Sequence, residues 1–135
     1  MTEVLQQGRP ADRLADDSVA WLTTVSADGQ PQSSPVWFFW DGASLWLRSQ
    51  SQAGKVRNIE GNSRVAIHLA DDGRGGDIVT IEGQASFEDA PAELFDAYVA
   101  KYDEAIRTAL GTTAEQLAAD YPRTIRITPN RTRAW

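Results

Sequence analysis

Residues 45–69 of the chain, LWLRSQSQAGKVRNIEGNSRVAIHL, begin and end with apolar side chains at every second position. A period of two is typical of β-strands, so the pattern predicts one strand over 44–49 and another over 65–69. Between them, Ser51 is a suitable N-cap for a helix of barely two turns, and Gly61 can adopt the left-handed conformation that ends a helix. The stretch therefore predicts a strand, a short helix and a second strand.

The start of this predicted helix carries groups that can bind an anion. A helix N-terminus has about half a positive charge and unpaired amide donors. Ser49 and Ser51 add hydroxyl groups, and Lys55 and Arg57 add full charges that can form charge-assisted hydrogen bonds. The alternative is a capped surface helix whose cations simply face water. The segment alone leaves both interpretations open.

Strand patterns elsewhere raise the number of predicted strands to six. Turn signals at 28–29 and 41–42, both Asp-Gly, predict that the first three strands form a meander. The second strand contains the run PVWFFW, which is typical of a strand buried on both faces. Gly83, inside the fifth strand, predicts a bulge or a close backbone approach. The six predicted strands cover 19–25, 32–40, 44–49, 65–69, 78–87 and 124–128.

Four predicted helices fall around these strands without a regular alternation. The first two cover 10–17 and 52–59, and the only long one runs from Pro91 to about residue 110, with apolar side chains three and four positions apart. Thr112 or Thr113 can cap the last helix, and the tail PNRTRAW follows the last strand. This order predicts a mainly β fold, an antiparallel barrel with short flanking helices, rather than a doubly wound sheet.

The composition predicts a single domain over residues 1–135. The chain has 41% hydrophobic residues and five Trp, enough for one core. It has no Cys, which excludes disulfides and thiolate chemistry and favours the cytoplasm. The N-terminal segment 1–17 lacks the basic and apolar regions of a leader, and no later run approaches the roughly 20 apolar residues that span a bilayer. We therefore expect a soluble cytoplasmic protein.

Charge is distributed unevenly along the chain. The net charge is −6, which argues against general nucleic-acid binding. Residues 48–64 nevertheless carry +3 and residues 123–133 carry +4, so the remainder sums to −13. Two compact basic patches on an acidic protein predict a small anionic ligand.

No residue pattern predicts acid–base catalysis or a metal site. His68 is the only histidine, and without a second His, Cys or clustered carboxylate we interpret it as structural or as a surface residue. Asp71, Asp72 and Asp77 lie in a Gly-rich loop that lacks the spacing of a calcium loop. The acids of the long helix are interpreted as its solvated face. We assign no catalytic residue.

Three motifs carry a family resemblance: P-x-S-S-P-V-W-F, then D-G-x-S-L-W-L, then K-V-R-N-I-E-G-N-S-R-V-A-I. They resemble the pyridoxamine-5'-phosphate-oxidase-like split barrels, notably the actinobacterial subgroup that uses the deazaflavin coenzyme F420, over most of residues 15–135. The resemblance implies a six-stranded antiparallel split β-barrel, active as a homodimer with two cofactor sites at its interface. The net charge and the lack of a spanning apolar run lead us to expect no nucleic-acid or membrane partner.

The resemblance also implies roles for individual residues. Lys55 matches the family lysine that binds the cofactor phosphate, and residues 34–37 match the strand beside the ring system. The tail 131–135 resembles a closing segment that reaches the partner's site, and Gln84 is a weaker candidate. The implied cofactor-binding residues are Ser34, Pro35, Val36, Trp37, Ser49, Ser51, Lys55, Arg57 and Asn58.

The implied function is hydride transfer between F420 and a small electron-poor organic acceptor. An FMN-dependent oxidoreductase of the same fold and a non-catalytic binder of flavin or pyridoxal phosphate remain as alternatives. The chain lacks the longer C-terminal segment with Arg and Trp found in true pyridoxamine phosphate oxidases, which argues against that reaction. Ser63 follows Asn62 where the family often has Pro, a change expected to alter a turn only.

Overall fold

The computed structural model describes residues 3–135. The first two residues of segment 1–17, which we predicted to have no leader pattern, lie outside the described residues. A 3-10 turn at Glu3–Leu5 precedes the first helix. The strands are β1 Ala20–Val25, β2 Pro31–Val36, β3 Phe39–Trp40, β4 Leu45–Ser49, β5 Arg64–Leu69, β6 Val79–Phe87 and β7 Arg123–Ala134. The helices are α1 Gly8–Asp16, α2 Gly54–Gly61, α3 Ala92–Arg107 and α4 Ala114–Asp120.

The seven strands of residues 3–135 form one antiparallel sheet in the order β2-β1-β5-β6-β7-β4-β3. Strands β2 and β3 lie at opposite edges of this sheet, yet only Trp37 and Phe38 separate them in the chain. Because a chain extends at most about 3.6 Å per residue, the two edges must lie close together. The sheet is therefore curled into an open barrel, which confirms the predicted mainly β class with one strand more than expected.

The prediction of a single buried strand over 32–40 is wrong. β2 ends at Val36 and is mostly exposed, and the chain then crosses to the other sheet edge. Val36 and Phe38 pack into the barrel core, whereas Trp37 and Phe39 pack against the helices. The run PVWFFW is apolar because it lies between two cores. The predicted meander is wrong for the same reason, since β4 pairs with β3 and β7 and not with β2.

The hairpin between β1 and β2 and the strand β5 are confirmed. Gly83 is also confirmed as a close approach: the register shifts at this residue, and a Cβ there would lie 2.6 Å from the carbonyl oxygen of Thr128. The prediction that residues 129–135 form a tail is wrong, because β7 continues to Ala134. Pro129 faces Gly83 at the shift, where a residue without an N–H is tolerated.

The ends of α2 differ from the prediction. Its N-cap is Ala53, which makes no side-chain cap hydrogen bond, so Ser51 is not the cap. Gly61 lies inside the helix, and Asn62 ends it in an extended conformation. Residues 50–53 form a turn before the helix, which delays its start by two residues relative to the prediction. The predicted cap of α4 is confirmed at Thr113, whose hydroxyl accepts a hydrogen bond from Gln116 N.

A second apolar cluster lies outside the barrel and positions α3 and α4. Its buried members are Tyr98, Tyr102, Ile106 and Leu117, and partly buried Trp37 and Phe39 pack against them. The predicted α1 is confirmed and is anchored by Arg13, which donates to the carbonyls of Asp77 and Ala70. Within the described residues, no helix combines the length and apolarity needed to cross a bilayer.

Candidate functional site

Two depressions meet at Lys55. The first, here called the polar pocket, has a volume of about 300 Å³ and is lined by Thr24, Gln32, Ser33, Ser34, Ala53, Gly54, Lys55 and Asn58. The second, here called the aromatic cleft, has a volume of about 280 Å³ and is lined by Pro35, Val36, Trp37, Arg48, Lys55, Tyr98, Leu110, Leu117 and Tyr121. A ligand that occupies both would have Lys55 near its middle.

The polar pocket opens at the N-terminus of α2. No side chain caps this helix, and in the described part of the chain the amides of Gly54 and Lys55 donate to no acceptor. A Cβ at Gly54 would meet nothing within 4 Å, so the approach to these amides is open. Free amides at a helix start favour an anion through both hydrogen bonding and the helix dipole.

Lys55 supplies the cation of the polar pocket. Its side chain is half-buried, and burial lowers the pKa of its ammonium group. Among the described residues, no carboxylate lies within ion-pair distance of it. A partly desolvated ammonium without a counterion is stabilised when an anion binds beside it. Lys55 therefore fits the phosphate group of a cofactor.

Asn58 fixes the position of α2 against the barrel. Its Nδ2 donates to the Thr24 hydroxyl and to Gln32 Oε1, each at 2.9 Å. Thr24 is buried on β1, whereas Gln32 lies on β2, so one amide joins α2 to two strands. Asn58 thus has a positioning role in the pocket wall, in addition to any contact with a ligand.

Trp37 forms a rigid wall of the aromatic cleft. Its ring stacks on Tyr102 with centroids 4.4 Å apart and an interplanar angle of 1°. The Tyr102 hydroxyl accepts a hydrogen bond from Phe38 N at 2.8 Å and donates to the carbonyl of Ser18 at 2.6 Å. Lys101 Nζ donates to the carbonyl of Phe38 at 2.9 Å. These contacts hold the chain where it crosses from β2 to β3.

Arg48 brings a second cation to the aromatic cleft. Its Nε donates to the carbonyl of Tyr121 at 3.1 Å, and its guanidinium carbon lies 4.8 Å from the centroid of the Phe95 ring. Two longer contacts join Nη1 to the Thr124 hydroxyl at 3.4 Å and Nη2 to the carbonyl of Ala118 at 3.5 Å. Burial lowers the pKa of Arg48, and no carboxylate among the described residues pairs with it. The cleft is therefore positively charged at two places.

The structure brings six of the nine predicted cofactor-binding residues to these depressions. They are Ser34, Pro35, Val36, Trp37, Lys55 and Asn58. The other three line neither one. Ser49 is buried, and its hydroxyl donates to the carbonyl of Gln50. Ser51 is exposed, and exposed Arg57 donates to the carbonyl of Gln52 at 2.8 Å. The roles of all nine residues remain predictions.

Sequence reasoning missed most of the aromatic cleft. The alternation of Leu45 and Leu47 with Arg48 is a signal that could have placed Arg48 on the opposite face of β4 from the barrel core. Tyr98 and Leu117 reach the cleft from α3 and α4, and Tyr121 reaches it from the C-cap position of α4. No motif links those positions to residues 34–55, so the sequence carried no signal for them.

The second predicted basic patch is dispersed in the fold. Arg126 pairs with Glu88 at 3.3 Å, and Arg123 lies over the Phe87 ring. Arg131 and Arg133 line a separate groove of about 170 Å³ on the outer face of the sheet. His68 lies in the same groove, exposed and 3.0 Å from the carbonyl of Leu69. Arg131 and Arg133 therefore line a different surface from Lys55.

Fold and site together define a class of protein: an antiparallel barrel in which a cationic helix start adjoins an aromatic cleft. Residues 10–135 match the family described as pyridoxamine 5'-phosphate oxidase, and the chain belongs to that family. The predicted resemblance to this family is confirmed, and with it a fold that binds flavin-type cofactors. No curated protein matches the chain.

Solved structures support the same fold. The conserved hypothetical protein Rv2991 from Mycobacterium tuberculosis is 24% identical with a TM-score of 0.75, covering 93% of this chain and 81% of that one. An F420 reductase is 25% identical with a TM-score of 0.67, covering 90% and 94%. The haem storage protein HutZ from Vibrio cholerae is 20% identical with a TM-score of 0.67, covering 92% and 91%. One fold is thus shared by proteins with different described functions.

Proposed function

We propose that this protein is an oxidoreductase that binds coenzyme F420 and reduces a small electron-poor organic acceptor. The observation that carries the proposal is the unpaired ammonium of Lys55 at the junction of the polar pocket and the aromatic cleft. A cofactor of this type has a phosphate group, which would occupy the polar pocket, and a flat ring system, which would occupy the aromatic cleft. The similarity to an F420 reductase favours F420 over FMN.

The polar pocket would hold the cofactor phosphate. Lys55 would form a charge-assisted hydrogen bond to it, and the free amides of Gly54 and Lys55 would donate as well. Ser33 and Ser34 line the same pocket, and the Ser33 hydroxyl is 2.7 Å from the hydroxyl of Thr23. A phosphate prefers such a combination of one cation and several neutral donors, because all its oxygens can then accept hydrogen bonds.

The aromatic cleft would hold the ring system and the acceptor. Residues 35–37 line it with backbone groups and apolar side chains, and the stacked Trp37 limits movement of a ring beside it. When bound, the reduced cofactor would supply a hydride, and the proton that completes the two-electron reduction would come from solvent once the product leaves the cleft. The chain's own residues bind, orient and exclude water, which needs no acid–base side chain.

We also propose that the protein acts as a homodimer in the cytoplasm, with residues 131–135 of one copy closing the site of the other. Two exposed tryptophans support an interface: Trp21 is 41% exposed and Trp135 66% exposed. Exposed apolar side chains mark a contact when they form a contiguous patch, so the proposed interface would have to cover both rings. Light scattering after size-exclusion chromatography tests this, and a monomer with full cofactor affinity would contradict it.

Fluorescence titration of the purified protein with F420, FMN and pyridoxal phosphate tests the cofactor. We expect F420 to bind most tightly and its reduced form to be oxidised by an electron-poor acceptor. Tight FMN binding with no preference for F420 would favour the FMN alternative. Tight F420 binding without turnover of any acceptor would favour a non-catalytic cofactor binder.

A further inference from the structure

The aromatic cleft contains two cations and no acid. Arg48 and Lys55 both line it, and the remaining lining residues are aromatic or aliphatic. Lys55 also lines the polar pocket, whereas Arg48 lines the aromatic cleft and not the polar pocket. If the cofactor phosphate occupies the polar pocket beside Lys55, the charge of Arg48 remains without a counterion.

The contacts of Arg48 include the Phe95 ring but, among the described residues, no carboxylate. Its one hydrogen bond of ordinary length goes to the carbonyl of Tyr121, and its two longer contacts also end on neutral oxygens. A guanidinium group has five N–H donors in a planar fork that suits carboxylate and phosphate oxygens. Half-buried in a cleft, such a group favours an anion over water more strongly than a surface arginine does.

We propose that Arg48 determines acceptor specificity by binding a carboxylate or phosphate group on a small planar acceptor. The inference rests on the proposed function, because it assigns the aromatic cleft to the acceptor and the cofactor ring. The flat side chains of Trp37, Tyr98 and Tyr121 suit a ring, and a volume of about 280 Å³ is just below the range of roughly 300–1,000 Å³ usual for ligand sites. The acceptor is thus small, flat and anionic.

A matched set of probes tests this assignment by calorimetric titration. The anionic probes are 4-nitrobenzoate and 4-nitrophenyl phosphate, and 4-nitrobenzamide is the neutral control of the same size as the carboxylate. We expect the better anionic probe to bind at least about tenfold more tightly than the amide, and the ratio between the two anions identifies the preferred group. Equal affinities, or no binding of any probe, would overturn the proposal.

Variants at Arg48 locate the preference. Arg48→Gln should remove the advantage of the anionic probe while changing the affinity for 4-nitrobenzamide less than about twofold. Arg48→Lys keeps the charge and should retain most of the advantage, even though Lys cannot reproduce the contacts to Tyr121 and Ala118. An equal loss for charged and neutral probes would indicate a purely structural role and would overturn the proposal. Thermal unfolding midpoints check that both variants fold.

Cofactor titrations separate this inference from the proposed function. The probes are measured on protein saturated with F420 or FMN and on cofactor-free protein. If a cofactor binds and no anionic preference is seen, only the role of Arg48 is wrong. If no cofactor binds but the preference persists and depends on Arg48, the oxidoreductase assignment is wrong and the anion site stands.

Discussion

The polar pocket and the aromatic cleft share Lys55, but the chain builds them in different ways. The polar pocket is made where α2 begins beside β1 and β2, within the first 60 residues. The aromatic cleft needs α3, α4 and the chain crossing at residues 37–38, which come together through the second apolar cluster. The first site depends on local hydrogen-bond donors, and the second on packing between distant segments. The two should therefore respond differently to mutation.

The largest expected effect is on the aromatic cleft. Leu117 is 4% exposed, and Leu117→Ala should lower the free energy of unfolding of the helical region by about 2–5 kcal/mol, as for other buried leucines. Hydrogen exchange should accelerate in α3 and α4 more than in β1 and β5. Leu110→Ala is the matched control, since Leu110 lines the same cleft but is 48% exposed. Uniform acceleration across the barrel would contradict the separation of the two regions.

The next effect is on the polar pocket. Lys55→Ala should weaken cofactor binding by about 1.5–3 kcal/mol, the range for a hydrogen bond to a charged group, without unfolding the protein. Fluorescence titration measures it. Arg57→Ala removes the same charge two residues away, outside both depressions, and should change the affinity by less than about threefold. If the two variants behaved alike, Lys55 would be only a solvated surface charge.

A third change tests the crossing between the two regions. Tyr102→Phe leaves the Phe38 amide without its acceptor, and an unsatisfied buried donor costs about 1–3 kcal/mol of stability. Urea unfolding measures the loss. Tyr98→Phe is the control, because no hydrogen bond of the Tyr98 hydroxyl is found in the described residues. A similar loss in both variants would show that the hydroxyl of Tyr102 is not the anchor.

The smallest expected effect is a pH dependence of the free energy of unfolding, which arises at the same crossing between β2 and β3. Burial lowers the pKa of Lys101 to about 8. Above that pH the folded protein releases the proton while the unfolded chain keeps it to about pH 10, so stability should rise with pH across this window. Urea unfolding at pH 7 and 9.5 measures the rise, and Lys101→Met should reduce it to the part contributed by other buried cations such as Lys55. No rise would mean that the Phe38 ring, 3.7 Å away, keeps the ammonium charged.

Most strands could be predicted because their signals are local. The alternation in 65–69, the Asp-Gly turn at 28–29 and the glycine at position 83 each encode a feature of their own backbone. The run at 35–40 misled the prediction, since an apolar segment between two cores has the same pattern as one inside a sheet. The extent of β7 was also hidden, because a proline is tolerated there only opposite the irregularity at Gly83.

The sequence by itself determined the barrel class, the short helix after β4 and the cationic residue at its start, because turn, alternation and charge are properties of neighbouring residues. Only the tertiary structure decided that α2 begins at Gly54 with free amides, that Asn58 joins it to two strands, and that Arg48 lines an aromatic cleft. The last two of these features depend on contacts between residues 26 to 76 positions apart. Such contacts form when apolar surfaces are buried together, and no local pattern specifies which surfaces meet.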